Sequence, residues 1–289
     1  MKKITHCKTC NSTNIKEVAK NVYSFGFKFD IVECLDCKLR FRNIELGKNE
    51  TEDLYSSKYF LKEQRDYFFN NVDYKKRIFT NRIKLIDQYC TNKGKVLDIG
   101  SAVGLFIEVA KNDGWEETGI EISSFASNYA KEKGLKSLNR GFENLEQLNQ
   151  TFDVITIWDV VDHAERPLEL LKEAHKVVKN GGYIFVETTI IDSAIYRLAE
   201  IIYDLSFRLI KAPFLKGYPV HHSNYYSEET MKKDIEKAGF KSITSIRETL
   251  GETIFSGGIL TKWLFKIIEK VSIVFHKEIV CIIVARAIK

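Results

Sequence analysis

The stretch from Lys95 to Gly104, K-V-L-D-I-G-S-A-V-G, limits what this chain can fold into more than any other. Val96, Leu97 and Ile99 form the continuous aliphatic run expected of a parallel strand buried on both faces. Gly100 and Gly104 bracket a tight turn into a helix that begins near Val103. Glycine at position 100 lets a ligand lie against the backbone, and the first N–H groups of the helix point at it. A strand, an acid and such a turn predict a nucleotide-cofactor site in an α/β sheet.

Spacing narrows the nucleotide. The dinucleotide fingerprint G-x-G-x-x-G is broken by Ala102, and no Gly-Lys-Ser/Thr follows to make a P-loop. The next strand, about Glu117 to Ile120, ends in Glu121, about 20 residues after the turn, where a carboxylate can accept both hydroxyls of a ribose. A turn without phosphate-binding glycines and an acid at the end of each of two strands fit a charged, phosphate-free nucleoside. S-adenosylmethionine is such a ligand.

Residues 93–190 resemble the class I S-adenosylmethionine-dependent methyltransferases. The likeness is carried by V-L-D-I-G-S-A-V-G, by T-G-I-E-I-S at 118–123, by F-D-V-I-T-I-W-D-V-V-D-H at 152–163 and by V-K-N-G-G-Y at 178–183, in the family's order. The resemblance implies that Asp98, Gly100 and Gly104 surround the methionine part of the cofactor. Glu121 would hold the ribose, Ile122 would cover the adenine, Phe142 and Glu143 would border its other side, and Ser101 and Trp158 would belong to the same pocket. The family's usual Gly-Asp pair reads Gly141-Phe142 here.

Four of the six cysteines fall as Cys7-x-x-Cys10 and Cys34-x-x-Cys37, each in a turn-like context. Two such pairs can set four thiolates around one tetrahedral Zn²⁺. Alternation in Ile15 to Val22 and Phe25 to Glu33 predicts two strands of a zinc ribbon, whose core is too small to stand without metal. The ribbon can grip a substrate, contact a partner or order the N-terminus. Cys90 and Cys281 read as small hydrophobes.

The organisation expected is a ribbon over 1–45, a helical segment over 46–92 and a Rossmann-like, seven-stranded, mostly parallel sheet over 93–289. A lid insertion is expected at about 190–226 and a helical insertion at about 255–276. Tyr55-Ser56-Ser57-Lys58-Tyr59-Phe60 is placed as a roof over the cofactor or as packing. Helices are expected at Phe106 to Lys111, at Ser123 to Lys133 with Ser123 as N-cap, and from Pro167 to a stop at Gly181-Gly182. The chain should close with a helix from Glu228 to Ala238 and strands over Ser242 to Leu250 and Glu278 to Ala287, an antiparallel hairpin. Along Ile259 to Phe275, apolar positions keep helical spacing beside a row of Lys262, Lys266 and Lys270. Such a helix suits an anionic membrane surface, or a dimer or domain contact.

Chemistry is expected beyond the fourth strand, at Trp158-Asp159-Val160-Val161-Asp162-His163, because ligands of such sheets bind outside the strands' carboxyl ends. His163 can serve as base for a hydroxyl acceptor with Asp159 or Asp162 orienting it, or can simply cap and pack. His222 stands in H-H-S-N-Y-Y-S, which resembles a His-x-x-Tyr-Phe-Ser phrase of methyltransferases in polysaccharide and lipid pathways; it is a second base candidate or a loop pin. The resulting expectation is methyl transfer to a small-molecule, sugar, glycan or lipid-linked acceptor, by O-methylation. The alternatives are an rRNA or tRNA methyltransferase and a non-catalytic zinc-ribbon interaction protein. Against nucleic acid, the net charge is only +5 and the lysines form no dominant block. The first residues lack a signal peptide's apolar core, and no uncharged apolar run reaches roughly 18 residues, so a cytoplasmic location, at most peripheral to the inner face of the membrane, is expected.

Overall fold

A computed structural model of the chain describes residues 2–206, 209, 212–215, 217–249 and 259–289. Strands β1 (Lys2–Lys3), β2 (Ile15–Ser24), β3 (Phe27–Cys34), β4 (Arg40–Arg42) and β5 (Ile44–Glu45) come first, followed by helices α1 (Lys48–Leu54) and α2 (Val72–Asp87). Two single π-helical turns, Tyr59–Glu63 and Asp66–Asn70, lie between the helices. The alternating part runs β6 (Lys95–Ile99), α3 (Leu105–Asn112), β7 (Glu116–Glu121), α4 (Ser124–Glu132), β8 (Ser137–Asn139), β9 (Phe152–Trp158), α5 (Pro167–Val177) and β10 (Val178–Thr189). Then follow α6 (Ala194–Leu205), α7 (Ala212–Leu215), β11 (Asn224–Tyr225), α8 (Glu228–Lys237), β12 (Phe240–Glu248), α9 (Ile259–Val274) and β13 (Val280–Ala287).

The main sheet has seven strands in the order β12-β13-β10-β9-β6-β7-β8. The five from β8 to β10 are parallel, and β13 runs antiparallel to both β10 and β12. Burial explains the hydrophobic text: Val96, Leu97, Val154, Ile155, Ile157, Ile184 and Ile282 to Val284 are buried because helices cover both faces. The strand order reverses between β6 and β9, so the loops after those strands diverge and leave a crevice at their carboxyl ends.

Local signals hold at several boundaries. The Ser123 side chain caps α4 by accepting from the Ala126 N–H, and Pro167 opens α5. The stop expected at Gly181-Gly182 is corrected: α5 ends at Val177, and the two glycines sit in an irregularity of β10, where its register against β9 shifts between Val178 and Tyr183. Of the insertion expected at about 255–276, residues 255–258 lie outside the described residues, as do Arg208 and Lys211 of the lid. Within α9, Trp263, Ile267, Val271 and Val274 are exposed beside Lys266 and Lys270. No helix among the described residues is long and apolar enough to cross a membrane.

The cysteine-bearing segment is a three-stranded antiparallel sheet, β2-β3-β4, extended by β11 from the segment between β10 and α8. Its apolar side, with Val22, Phe29 and Ile31, shares one core with Ile191, Tyr203, Phe214, Tyr218 and Tyr225 of that segment. The ribbon is therefore built into the molecule rather than appended to it.

Candidate active site

A cleft of about 910 Å³ opens over the sheet's switch point. On one side stands the β6–α3 turn. Asp98 is buried, and Thr156 Oγ1 donates to its Oδ1 at 2.7 Å. Burial pushes the Asp98 carboxyl up to about 7, the Thr156 hydrogen bond pulls against this, and nearby Glu121 adds to it. Glu121, at the end of β7, accepts the Ala102 N–H at 2.9 Å and the Ser123 N–H at 2.8 Å, so its position is fixed by backbone. Ser101, Ile122, Phe142, Glu143 and Trp158 also line the cleft.

The two glycines of the turn differ in what surrounds them. Gly100 lines the cleft with φ +80°, and the space a Cβ would take there is filled by Val160 Cγ2, 2.5 Å away. The close neighbour it must admit is thus a side chain of the β9 loop. Gly104, at φ +84°, turns toward Leu135 and Ala130, each under 3.0 Å from an added Cβ, and not toward the cleft. Its glycine identity serves the left-handed entry to α3 and the packing on α4.

Opposite the β6–α3 turn stand the loop after β9 and residues 219–222. The Asp162 carbonyl accepts the N–H groups of Ser223 (2.7 Å) and Asn224 (2.9 Å), and Asn224 Nδ2 donates to the Ala164 carbonyl at 2.7 Å. These bonds hold the His221-His222 turn against Asp162. The buried Asp162 carboxylate lies 3.5 Å from His222 Nδ1 and 3.8 Å from His163 Nε2, and the two imidazoles are 4.7 Å apart. Burial raises the Asp162 pKa, with His222 opposing. His163 is clamped by Tyr55, whose hydroxyl is 2.7 Å from Nδ1, and burial followed by the His222 charge pushes its pKa down to about 3. His163 is accordingly a neutral imidazole at pH 7. Of the two acids expected to orient His163, Asp159 lines the cleft with φ +57°, whereas Asp162 is the one gathered with both histidines.

Behind this wall lies a buried ionic knot. Glu165 accepts from Lys8 Nζ (2.9 Å), from Ser223 Oγ (2.8 Å), from the Leu46 N–H (3.2 Å) and from Arg42, which also donates to the Val220 carbonyl. Burial alone would raise the Glu165 pKa, yet Lys8 and Arg42 together hold it below the ordinary value. Lys8 sits between Cys7 and Cys10, so the cysteine cluster is joined to the cleft wall by a direct salt bridge. Nothing in the sequence marked Glu165, Thr156 or Asn224, because their partners are distant in the chain. Tyr55 was visible only as part of an aromatic cluster.

The four cysteines Cys7, Cys10, Cys34 and Cys37 converge, with Sγ pairs at 3.4 Å (Cys7–Cys37) and 3.5 Å (Cys10–Cys34). An ion bound at about 2.3 Å to four tetrahedral sulfurs has sulfur–sulfur edges of about 3.8 Å, so the donor set fits one. The two turns match: the Asn11 N–H bonds the Cys7 carbonyl and the Lys38 N–H the Cys34 carbonyl, and both Asn11 and Lys38 have positive φ.

The family model for a methyltransferase domain matches residues 68–245. The chain belongs to the methyltransferase-domain family. Among the curated relatives of this methyltransferase-domain chain is a ubiquinone biosynthesis O-methyltransferase of Coxiella burnetii, 34% identical over 115 residues that cover 37% of this chain and 49% of the relative. The chain thus spans about half the length of such relatives. Among solved structures, a SAM-dependent methyltransferase from Archaeoglobus fulgidus shares the fold with TM-score 0.51 and 22% identity over 79% of this chain and 99% of its own. The magnesium protoporphyrin IX methyltransferase of Synechocystis PCC 6803, solved with bound SAH, does so with TM-score 0.54 and 13% identity over 83% of this chain and 99% of its own.

Proposed function

We propose that the protein transfers the methyl group of S-adenosylmethionine to a hydroxyl of a small-molecule acceptor. The observation that carries this reading is the cleft itself: cofactor-type acids, Asp98 and Glu121, on one wall, and an Asp162-backed histidine pair on the other. The partial relatives named as O-methyltransferases support the acceptor atom.

When bound, S-adenosylmethionine supplies an electrophilic methyl on a sulfonium. Ionised Asp98 would pair with its ammonium, and the free lone pairs of Glu121 would accept the ribose hydroxyls. Displacement at a methyl group is in-line, so the residues opposite must hold the acceptor oxygen on the far side. His222 takes the hydroxyl proton: Nδ1 faces Asp162, which steadies the imidazolium, and Nε2 is left for the acceptor. His163, with Nδ1 held by Tyr55 and Nε2 buried without a hydrogen-bond partner, is a positioning residue beside it.

The test is cofactor affinity against pH. Asp98 must ionise to pair with the ammonium, and its pKa is raised, so protonation at acid pH competes with binding. Calorimetry should show affinity rising roughly tenfold per pH unit below 7 and levelling above it. Asp98→Asn should bind weakly with no such slope. A wild-type affinity flat from pH 5 to 8 would remove Asp98 from the cofactor site.

We further infer that Cys7, Cys10, Cys34 and Cys37 hold a structural Zn²⁺, since four thiolates leave no open coordination position. Metal analysis should give one zinc per chain. Chelation should loosen the cysteine turns and the strands between them first, read as early loss of amide protection over 15–42, because four uncoordinated thiols no longer hold the two turns together. Full protection after complete zinc removal would contradict the assignment.

A further inference from the structure

The β2–β3 turn, Ser24-Phe25-Gly26-Phe27, carries a residue that the backbone does not favour. Phe25 has φ +49° and Gly26 φ +82°, the two left-handed positions of a tight hairpin turn, where Asn-Gly is the low-strain pair. A bulky aromatic at positive φ is an outlier, and Phe25 is also 51% exposed. Strain of this kind persists where the side chain has a use.

Its surroundings point to that use. The Phe25 ring meets His221 edge-on with centroids 4.5 Å apart, and the Val220 N–H donates to Ser24 Oγ at 3.2 Å, so the ribbon tip is pinned to the turn that presents His222. Phe25 lines the cleft together with Leu46, Leu54, Tyr59, Pro219 and His221. Glu45, Thr51 and Glu52 lie on the same wall, and His221 Nε2 is buried without a hydrogen-bond partner, so polar groups of an acceptor can be met there. The half-exposed Phe25 ring adds a flat apolar surface, which suits the face of an aromatic ring.

We propose that Phe25 is an acceptor-recognition residue supplied by the ribbon, and that the acceptor is an uncharged phenol whose ring packs against it while its hydroxyl reaches His222. This rests on the methyl-transfer reading above. In the step, the hydroxyl proton passes to His222, the O–CH₃ bond forms as the S–CH₃ bond breaks, and the sulfonium leaves as a neutral thioether.

The experiment uses the full, zinc-loaded chain with S-adenosylmethionine and two sets of probes, 4-alkylphenols and methyl glucosides, with products read by mass spectrometry. Phenols should be methylated. Phe25→Asn should raise KM for them roughly tenfold with kcat little changed. Calorimetric cofactor affinity should stay the same and Tm should hold or rise, since Asn suits the left-handed position; Phe25→Tyr should restore KM. A lower Tm with unaltered KM would make Phe25 merely structural and overturn the proposal. Methylation of glucosides alone, or cofactor binding with neither set modified, would overturn the acceptor class and leave the cofactor site standing. Failure to bind S-adenosylmethionine would instead sink the methyl-transfer reading and this proposal with it.

Discussion

Glu165→Gln is expected to destabilise the protein by about 3–5 kcal/mol, the usual result of removing one partner from a buried ionic cluster. Arg42 is 2% exposed and Lys8 4% exposed at the side chain, and Glu165 neutralises both. The glutamine amide oxygen can still accept one hydrogen bond, but two cations then share a desolvated site. Arg42 cannot relieve this by losing a proton, because guanidinium stays charged throughout the accessible range. Urea denaturation of the zinc-loaded variant at pH 7 measures the penalty. Glu169→Gln is the control: Arg166–Glu169 is a half-exposed pair worth less than about 1 kcal/mol. A Glu165→Gln penalty no larger than that of Glu169→Gln would show that the knot does not hold ribbon to cleft.

The same knot shows what the sequence could and could not reveal. The strand Lys95–Ile99, the acid at Glu121, the cap at Ser123 and the two C-x-x-C pairs announce themselves because their meaning is local: a buried strand must be apolar, a helix must be capped, and a tetrahedral site needs spaced thiols. Glu165 carries no such mark, since a carboxylate two residues after a histidine looks like any solvated acid until Lys8 and Arg42 arrive from over a hundred residues away. The β4–β11 pairing is equally silent, as a two-residue strand has no period to read. Gly104 shows a second reason for a residue that the motif alone does not display: a Cβ there would collide with Ala130 and Leu135. Asp159 and Asp162 differ by three positions in a loop, and only tertiary bonds from Ser223 and Asn224 decide which of them meets the histidines.

His222→Gln is expected to lower kcat by about 10²–10⁴-fold, the range supplied by a positioned general base, while cofactor affinity stays at the wild-type value. Glutamine fills similar space and can still offer an amide hydrogen to Asp162, so the variant should remain folded with a polar partner for that buried carboxylate. It cannot take up the acceptor proton. His163→Gln should cost less, because Nδ1 of that ring is occupied by Tyr55 and burial holds its pKa down to about 3, which makes it a poor proton acceptor. Asp162→Asn separates orientation from proton uptake: an amide in place of the carboxylate no longer stabilises the imidazolium of His222, 3.5 Å away, and kcat should fall with the base still present. Because the two residues act as a unit, the double variant His222→Gln/Asp162→Asn should be scarcely slower than His222→Gln alone. Single-turnover rates with saturating S-adenosylmethionine measure all four. Equal losses for His222→Gln and His163→Gln would assign proton transfer to the pair jointly, and undiminished turnover in His222→Gln would leave the reaction to positioning alone.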